Sequence, residues 1–127
     1  MNNLILGSSG KIGSYYYQRS KLKNNIFASR KTIYKKKFIK FNFEKKKFLN
    51  IIKRLKISKV IILTAISDPL NCVIDKKKNN EINIILTKKI INILIKNKIY
   101  FVFFSSEYIF SGNKNILYKE SSKCNAR

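Results

Sequence analysis

The sequence predicts an α/β fold with a doubly wound parallel sheet and helices on both of its faces. Short apolar runs alternate with amphipathic stretches along all 127 residues. Two of the runs, residues 60–66 and 100–104, are uninterrupted, as in strands that are buried on both faces. The apolar run nearest the N-terminus, residues 3–6, leads directly into a segment with three glycines. Strands that alternate with helices are typical of parallel sheets, whose crossovers are right-handed.

Each element of the first half follows from local patterning. Residues 3–6 form a short apolar strand, and the stretch 11–23 after the glycines predicts a helix. Residues 26–29 predict a second strand, and the partial alternation over 38–43 predicts a short third one. A helix is predicted over 44–55 because its apolar residues recur at positions i, i+3, i+4 and i+7.

The second half repeats the alternation. The β-branched run 60–66 predicts a strand buried on both faces, ended by Ser67-Asp68-Pro69. A long helix is predicted over 80–96 and an apolar strand over 100–104. The tail, residues 113–127, is polar and is expected to form loops. We find no internal repeat or linker, so residues 1–127 are expected to belong to a single domain.

The strongest compositional signal is positive charge. The chain has 28 Lys and Arg against 6 Asp and Glu, a formal net charge of +22. Such an excess is typical of proteins that bind nucleic acid or anionic membranes. The lysines are scattered, however, and the composition is that of proteins encoded by AT-rich genomes. We therefore attribute the charge mainly to composition. This interpretation allows weak, non-specific polyanion binding and does not favour a specific nucleic-acid partner.

The sequence shows no leader, membrane segment or zinc motif. No apolar stretch approaches the roughly 20 residues of a membrane-spanning helix, and the N-terminus has no signal-peptide pattern. Cys72 and Cys124 are far apart, and the chain has no His, which disfavours a zinc site. These features predict a cytoplasmic protein with reduced thiols and no membrane partner.

The stretch LILGSSGKIGS places Gly7, Gly10 and Gly13 directly after the first predicted strand. In such a turn the first glycine permits the tight bend, the second lets the backbone approach a diphosphate, and the third lets the helix pack on the sheet. The helix N-terminus adds N–H groups and partial positive charge. A P-loop is excluded because Ile5 and Ile12 stand where it needs Gly and Ser or Thr. The segment predicts a Rossmann-like dinucleotide site, with a tight turn that binds no ligand as the alternative.

The end of the second strand predicts which dinucleotide is preferred. An acidic residue there would accept hydrogen bonds from a ribose 2′-hydroxyl. The sequence instead has Ser29-Arg30-Lys31, and a guanidinium suits a 2′-phosphate. Arg30 therefore favours NADP over NAD. The alternative, that Arg30 is one more cation of a basic chain, stays open.

The glycine spacing resembles that of the extended short-chain dehydrogenase/reductases. Four segments narrow the resemblance to the dTDP-4-dehydrorhamnose reductase group of sugar-nucleotide reductases: LILGSSGKIGS, VIILTAISDPLNC, EINIILTKKII with Asn83, and SSEYIFSG followed by YKE. The last two are the most specific. The resemblance extends over nearly the whole chain and implies hydride transfer from NADPH, or less favourably NADH, to the 4-keto group of a nucleotide-linked deoxysugar, a step of dTDP-rhamnose synthesis.

The resemblance also implies roles for individual residues on the cofactor side. The residues that would line the diphosphate are Ser9, Gly10, Lys11 and Ile12. Arg30 would meet the adenosine 2′-phosphate. Asn42 and Phe43 would lie near the adenine, where the family often has Asp. Those beside the ribose and nicotinamide would be Ala65, Ile66 and Ser67.

On the substrate side, Ser106 matches the family's catalytic Ser or Thr, and Tyr108 would lie beside the sugar. The position of Ser106 is also reasonable on physical grounds. Ligands of open parallel sheets bind beyond the carboxyl ends of the strands, where a hydroxyl can stabilise charge that develops on a substrate carbonyl oxygen. The alternative is a serine that caps a turn.

The resemblance implies a Tyr-x-x-x-Lys pair as the source of the proton. Tyr17 and Lys21 have this spacing but belong to the first predicted helix, and Tyr118 has Ser122 in the lysine position. The 127 residues therefore resemble an incomplete N-terminal cofactor-binding domain that lacks the Tyr/Lys segment and the substrate-binding part.

Two other functions stay open at this stage. A non-catalytic dinucleotide-binding module, similar to the regulatory subunit of methionine adenosyltransferase, would need no Tyr/Lys pair; a homodimer is compatible with such a module and with the reductase. Charge alone suggests a nucleic-acid binder, with bases stacked on the tyrosines at 15–17.

Overall fold

A parallel sheet of five strands organises the fold, in the order β3-β2-β1-β4-β5. The structure is a computed structural model that describes residues 1–31, 33, 36–113 and 115–125. The strands are β1 (Asn2–Leu6), β2 (Asn25–Ser29), β3 (Phe38–Lys40), β4 (Ile57–Ile62) and β5 (Tyr100–Phe103). All four neighbouring pairs are parallel. The prediction of a Rossmann-like, doubly wound α/β fold is confirmed.

Helices connect the strands on both faces of the sheet. The α-helices are α1 (Lys11–Arg19), α2 (Lys45–Arg54), α3 (Pro69–Ile74), α4 (Lys76–Asn79) and α5 (Thr87–Lys96). A π-helical segment, Asn80–Leu86, joins α4 to α5, and a single 3-10 turn, Glu107–Ile109, follows β5. In the described ranges, no helix has the length and apolar character needed to cross a membrane.

The larger core lies between the sheet and helices α2 and α5. Strand register aligns Leu4 with Val60 and Leu6 with Ile62 on this face. These side chains are buried against residues of the two helices, which are Phe48, Ile52, Ile90, Ile93 and Leu94. Burial of several large apolar side chains makes this face the main source of stability.

Helix α1 covers the opposite face near β2 and β3. The rings of Tyr17 and Phe27 meet edge to face with centroids 5.0 Å apart, and Tyr17 also contacts Phe38 at 4.8 Å. Tyr16 lies 6.1 Å from Phe27. These contacts place Tyr16 and Tyr17 in the packing between helix and sheet, so their rings are not a stacking surface for bases.

Several predicted elements end at different residues in the structure. The first helix ends at Arg19 instead of 23, and the strand predicted over 60–66 spans Ile57–Ile62. The third strand ends at Lys40 because Phe41 and Phe43 turn to pack against Phe48. The helix predicted over 80–96 is π-helical over Asn80–Leu86 and α-helical over Thr87–Lys96, and α3 was not predicted.

A lysine occupies the left-handed position at the end of α5. Lys98 has a φ of 53°. Its N–H donates to the Ile95 carbonyl at 3.0 Å, and the Ile99 N–H donates to the Leu94 carbonyl at 2.9 Å. This is a Schellman motif, in which glycine is favoured because a Cβ makes the left-handed conformation costly.

We expect Lys98→Gly to raise the free energy of unfolding by about 1 kcal/mol, since it removes that cost. Lys96→Gly is the matched control. It lies in the last turn of α5, where glycine should lower the free energy of unfolding by about 1 kcal/mol. Urea denaturation followed by circular dichroism measures both changes. Equal effects of the two substitutions would contradict the left-handed cap.

Candidate nucleotide-binding site

A cavity of about 260 Å³ opens at the carboxyl ends of the central strands. Three chain segments form most of its wall: the glycine turn after β1, the end of β2 and the chain after β4. Phe41, Phe43, Leu86 and Ile90 complete the lining. The carboxyl edge of an open parallel sheet is where such folds bind ligands.

The glycine turn is held tightly against β2. The N–H groups of Gly7 and Ser8 both donate to the Ala28 carbonyl, at 3.2 and 3.1 Å. The buried Ser8 hydroxyl donates to the Ile5 carbonyl at 2.7 Å. The Gly10 N–H donates back to the Gly7 carbonyl at 3.1 Å. The turn between β1 and α1 is therefore a fixed surface.

The space available for a side chain differs among the three glycines of the turn. Gly7 has a φ of +86°, and a Cβ there would lie 2.8 Å from backbone atoms of Leu63 and Thr64. A Cβ on Gly13 would lie 2.6 Å from the Ser8 Cα. A Cβ on Gly10, by contrast, would meet only the Gly7 carbonyl oxygen, at 3.4 Å. The protein's own packing requires glycine at positions 7 and 13, whereas a side chain at Gly10, which lines the cavity, would meet little of the protein.

Helix α1 begins directly beside this space. Gly10 is its N-cap residue, and the first intrahelical bond is from the Ser14 N–H to the Gly10 carbonyl, at 2.9 Å. The N–H groups of the first turn of α1 have no acceptor within the helix and lie at its positive end. Lys11 and Ile12, the first two residues of α1, are both exposed. This arrangement suits an anionic group.

The end of β2 brings Arg30 to the cavity. Arg30 is exposed and lines the wall together with Ser29. The buried Ser29 hydroxyl accepts the Lys31 N–H at 3.1 Å, and the Ser29 carbonyl accepts the Phe41 N–H at 2.8 Å. These bonds fix the bend from which the Arg30 guanidinium projects.

Asn42 and Phe43, the two residues predicted to lie near the adenine, line different spaces in the structure. Phe43 lines the cavity, whereas Asn42 is exposed in a groove on the other side of Phe41. Phe41, to which sequence reasoning assigned no role, borders both spaces. An aromatic residue in a partly alternating run looks like a strand residue, so its place at the site could not be predicted from pattern alone.

The chain after β4 is positioned by Asn83. The Asn83 side chain accepts the Ile66 N–H at 2.8 Å and donates to the Ile66 carbonyl at 2.9 Å. It also donates to the Asn79 side-chain oxygen at 2.6 Å. Asn83 lies in the π-helical segment, a distortion frequent at functional sites. Its amide therefore replaces a neighbouring strand and holds Ile66 next to Ala65, which lines the cavity.

The predicted substrate-side residues follow β5 at the same edge of the sheet. Ser106 and Tyr108 are both exposed, and the Ser106 hydroxyl accepts the Tyr108 N–H at 3.3 Å. The Ile109 N–H donates to the Ser106 carbonyl, also at 3.3 Å. Ser106 thus starts the 3-10 turn, and neither it nor Tyr108 belongs to the cavity wall that the described residues form. Ser67 is exposed beyond Ile66.

A match along almost the whole chain identifies its family. A family model described as "RmlD substrate binding domain" matches residues 1–126. The chain belongs to the RmlD substrate-binding-domain family. Curated proteins give no significant match to it.

Solved structures similar to this RmlD family member share its fold. A structure described as a hypothetical dTDP-4-dehydrorhamnose reductase from Sulfolobus tokodaii is 25% identical, with a TM-score of 0.81 over 99% of this chain and 46% of that one. MoeE5, solved with UDP-glucose and NAD, is 18% identical, with a TM-score of 0.78 over 99% and 43%. A UDP-N-acetylglucosamine 4-epimerase from Methanobrevibacter ruminantium, solved with UDP-N-acetylmuramic acid, is 21% identical, with a TM-score of 0.73 over 98% and 44%.

This RmlD family member spans less than half the length of these solved relatives. Its matched part contains the sheet, the glycine turn and the cavity. Within the described ranges, no group of three or more Cys, Asp or Glu side chains is arranged to hold a metal ion. The site of this part of the family fold is therefore made of backbone amides, one arginine, hydroxyls and aromatic walls.

Proposed function

We propose that residues 1–127 are the cofactor-binding domain of an NADP(H)-dependent sugar-nucleotide reductase. The observation that carries the proposal is Gly10, whose missing side chain leaves space beside the N-terminus of α1. Packing does not require glycine there, and a diphosphate that approaches the backbone does. Family membership and the relatives solved with NAD and nucleotide sugars support the same ligand class.

The residues present fit such a cofactor. The N–H groups at the start of α1 would bind the diphosphate, with Ser9 beside them and Lys11 and Ile12 on the first turn. The Arg30 guanidinium would bind the 2′-phosphate of the adenosine ribose through charge-assisted hydrogen bonds. Phe41 and Phe43 offer apolar walls to the adenine. NAD lacks the 2′-phosphate, so Arg30 favours NADP.

The nicotinamide end of the cofactor would lie along the chain after β4. Asn83 fixes Ile66 and thereby the position of Ala65. NADPH, when bound, supplies the hydride for reduction of a 4-keto sugar nucleotide. The Ser106 hydroxyl would donate a hydrogen bond to the substrate carbonyl oxygen, on which negative charge develops. Tyr108 would lie beside the sugar. We place this chemistry in the cytoplasm, since Cys72 and Cys124 are both free thiols.

Reduction of the substrate carbonyl also requires a group that donates a proton to its oxygen. Tyr17 and Lys21 have the Tyr-x-x-x-Lys spacing, but Tyr17 lies on α1, where its ring packs against Phe27 and Phe38, and Lys21 follows the end of that helix. Tyr17 has no access to the proposed substrate. We therefore expect the 127 residues alone to bind NADPH without reducing dTDP-4-dehydrorhamnose. NADPH-dependent turnover by the purified chain would contradict this assignment.

The direct test of the proposal is a titration of NADPH fluorescence with the protein. Arg30→Ala is expected to weaken NADPH binding about tenfold or more, because a hydrogen bond to a charged group is removed. NADH affinity should stay nearly unchanged. Arg19→Ala, at the far end of α1, is the control with the same change of charge. The proposal fails if NADPH does not bind, or if both arginine variants weaken both cofactors equally.

A further inference from the structure

A second and larger concave surface lies between the end of β3 and helix α2. This groove has a volume of about 790 Å³ and is separate from the nucleotide cavity, which it adjoins at Phe41. Half of its lining residues are cations: Lys40, Lys47, Lys53 and Arg54. All four are exposed. Lys47 and Arg54 are seven residues apart, so they project from one helix face about 10 Å from each other along the axis.

The cations at the two ends of α2 differ in their relation to the helix dipole: Lys53 and Arg54 lie in the last turn, where cations are favoured. Lys45, Lys46 and Lys47 occupy its first turn, which has no acidic residue, although the N-terminal end of a helix disfavours cations. The only ion pair found among the described residues joins Lys47 to Glu44 at 2.8 Å. Its hydrogen bond and charge attraction raise the pKa of the Lys47 amine. An anion in the groove would offset the remaining repulsion.

The groove also offers groups that suit nucleobases. The exposed amides of Asn42 and Asn50 can donate and accept hydrogen bonds, and the half-buried Phe41 and Ile51 add apolar surface to the lining. A row of cations beside an aromatic residue and amides is the arrangement with which proteins bind single-stranded nucleic acid. An acidic peptide would use the cations alone.

We propose that the groove between β3 and α2 binds single-stranded nucleic acid without sequence specificity. The phosphates would lie along Lys40, Lys47, Lys53 and Arg54, and a base would contact Phe41. This inference does not rest on the proposed reductase function: the cations that it uses line the groove alone, and Phe41 is the one residue that borders both the groove and the cavity. It also localises to one surface the weak polyanion binding that the charge of +22 allows.

The test measures fluorescence anisotropy of a labelled oligothymidylate about 12 nucleotides long. Lys53→Gln/Arg54→Gln removes two charges from the groove. The matched control is Lys76→Gln/Lys77→Gln, which removes two exposed charges from α4. Helix α4 lies between β4 and β5 in the chain and does not line the groove. Circular dichroism verifies that both variants stay folded. Lys40→Gln, on the opposite wall of the groove, provides a second groove variant.

We expect the groove double variant to weaken binding about tenfold and to reduce the slope of log affinity against log salt by about 1.4, or roughly 0.7 for each phosphate that the protein no longer neutralises. Lys40→Gln should reduce the slope by about 0.7, and the α4 variant should change affinity less than about twofold. Equal weakening by both double variants would overturn the proposal, because binding would then follow net charge alone. Absence of binding, or displacement of the oligonucleotide by polyglutamate as effectively as by unlabelled oligonucleotide, would overturn it as well.

Discussion

Gly13→Ala is expected to lower the free energy of unfolding by about 3 kcal/mol or more. The new Cβ would lie 2.6 Å from the Ser8 Cα and 2.7 Å from the Gly7 carbonyl oxygen. These are backbone atoms, and they cannot easily retreat: Ser8 is bonded to Ala28 through its N–H and to Ile5 through its hydroxyl. Helix α1 would have to move away from the sheet. Because small domains are only marginally stable, such a loss should leave a large unfolded fraction at room temperature.

Gly10→Ala is the matched control, three residues earlier in the same turn. Apart from its chain neighbours, the nearest atom to its Cβ would be the Gly7 carbonyl oxygen at 3.4 Å, so the cost in stability should stay below about 1 kcal/mol, mostly from alanine's poorer N-cap preference. The methyl group would project into the space proposed for the diphosphate. We therefore expect NADPH affinity to fall about tenfold, because a charge-assisted hydrogen bond can no longer form, while the chain stays folded.

Urea denaturation and NADPH titration of the two glycine variants separate a structural turn from a ligand-binding turn. If Gly10→Ala is as destabilising as Gly13→Ala, the distinction between the two glycines is wrong. If Gly10→Ala is stable and binds NADPH like the native chain, the diphosphate does not lie where we propose. Neither outcome depends on whether the chain catalyses reduction.

The glycine turn could be predicted from sequence because its causes are local. A strand, a backbone bend and a helix N-terminus occupy adjacent residues, and the spacing of Gly7, Gly10 and Gly13 specifies the turn. Periodicity likewise predicted the core face of α2, where Phe48 and Ile52 are buried. The parallel arrangement followed from the alternation of elements, and it is confirmed by the register of all strand pairs.

The parts that could not be predicted depend on contacts between distant residues. The run 60–66 has uniform β-branched character, yet pairing ends after the Leu63 N–H donates to the Leu6 carbonyl at 2.9 Å. Beyond this point the chain is held by Asn83, which is 17 residues away from Ile66. Similarly, Phe41 leaves the predicted third strand because Phe48 of α2 packs against it. Local patterning contains neither partner.

The distribution of positive charge over the surface also depends on contacts between distant residues, so it could not be predicted from the sequence. The lysine runs 35–37, 45–47 and 76–78 are scattered along the chain, which favoured an origin in composition. Folding places Lys40, Lys47, Lys53 and Arg54 around one groove. Lys36, Lys37 and the lysines of α4 are exposed, as expected for solvated segments, and Lys35 lies outside the described residues. Which cations share a surface depends on how β3 and α2 meet.

Asn83→Ala is expected to lower the free energy of unfolding by about 2 kcal/mol, because two hydrogen bonds to the half-buried Ile66 backbone are removed. Ile66 would then be free to shift, together with Ala65 at the cavity wall. We expect NADPH affinity to fall in parallel. Urea denaturation and the NADPH titration measure the two effects, and unchanged values of both would contradict the role of Asn83.

Asn83→Asp tests the same contact more specifically. One carboxylate oxygen can still accept the Ile66 N–H, but the other would face the Ile66 carbonyl oxygen, which the native amide approaches at 2.9 Å. Asn79 can rotate its amide and donate, whereas the carbonyl cannot change from acceptor to donor. Close approach of two acceptors disfavours the charged form, so the pKa of the new carboxyl in the folded chain should lie above that of the unfolded chain.

The sign of the pH dependence follows from that shift. Between the two pKa values the folded state binds more protons than the unfolded state, so stability falls as pH rises. Below the unfolded pKa, at about 3.9, the protonated Asp donates to the Ile66 carbonyl and the variant approaches the native chain. As pH rises through the folded pKa this contribution is lost, and at neutral pH the variant should be at least as unstable as Asn83→Ala. A stability difference between Asn83→Asp and the native chain that does not change with pH would show that the Ile66 carbonyl does not face this side chain.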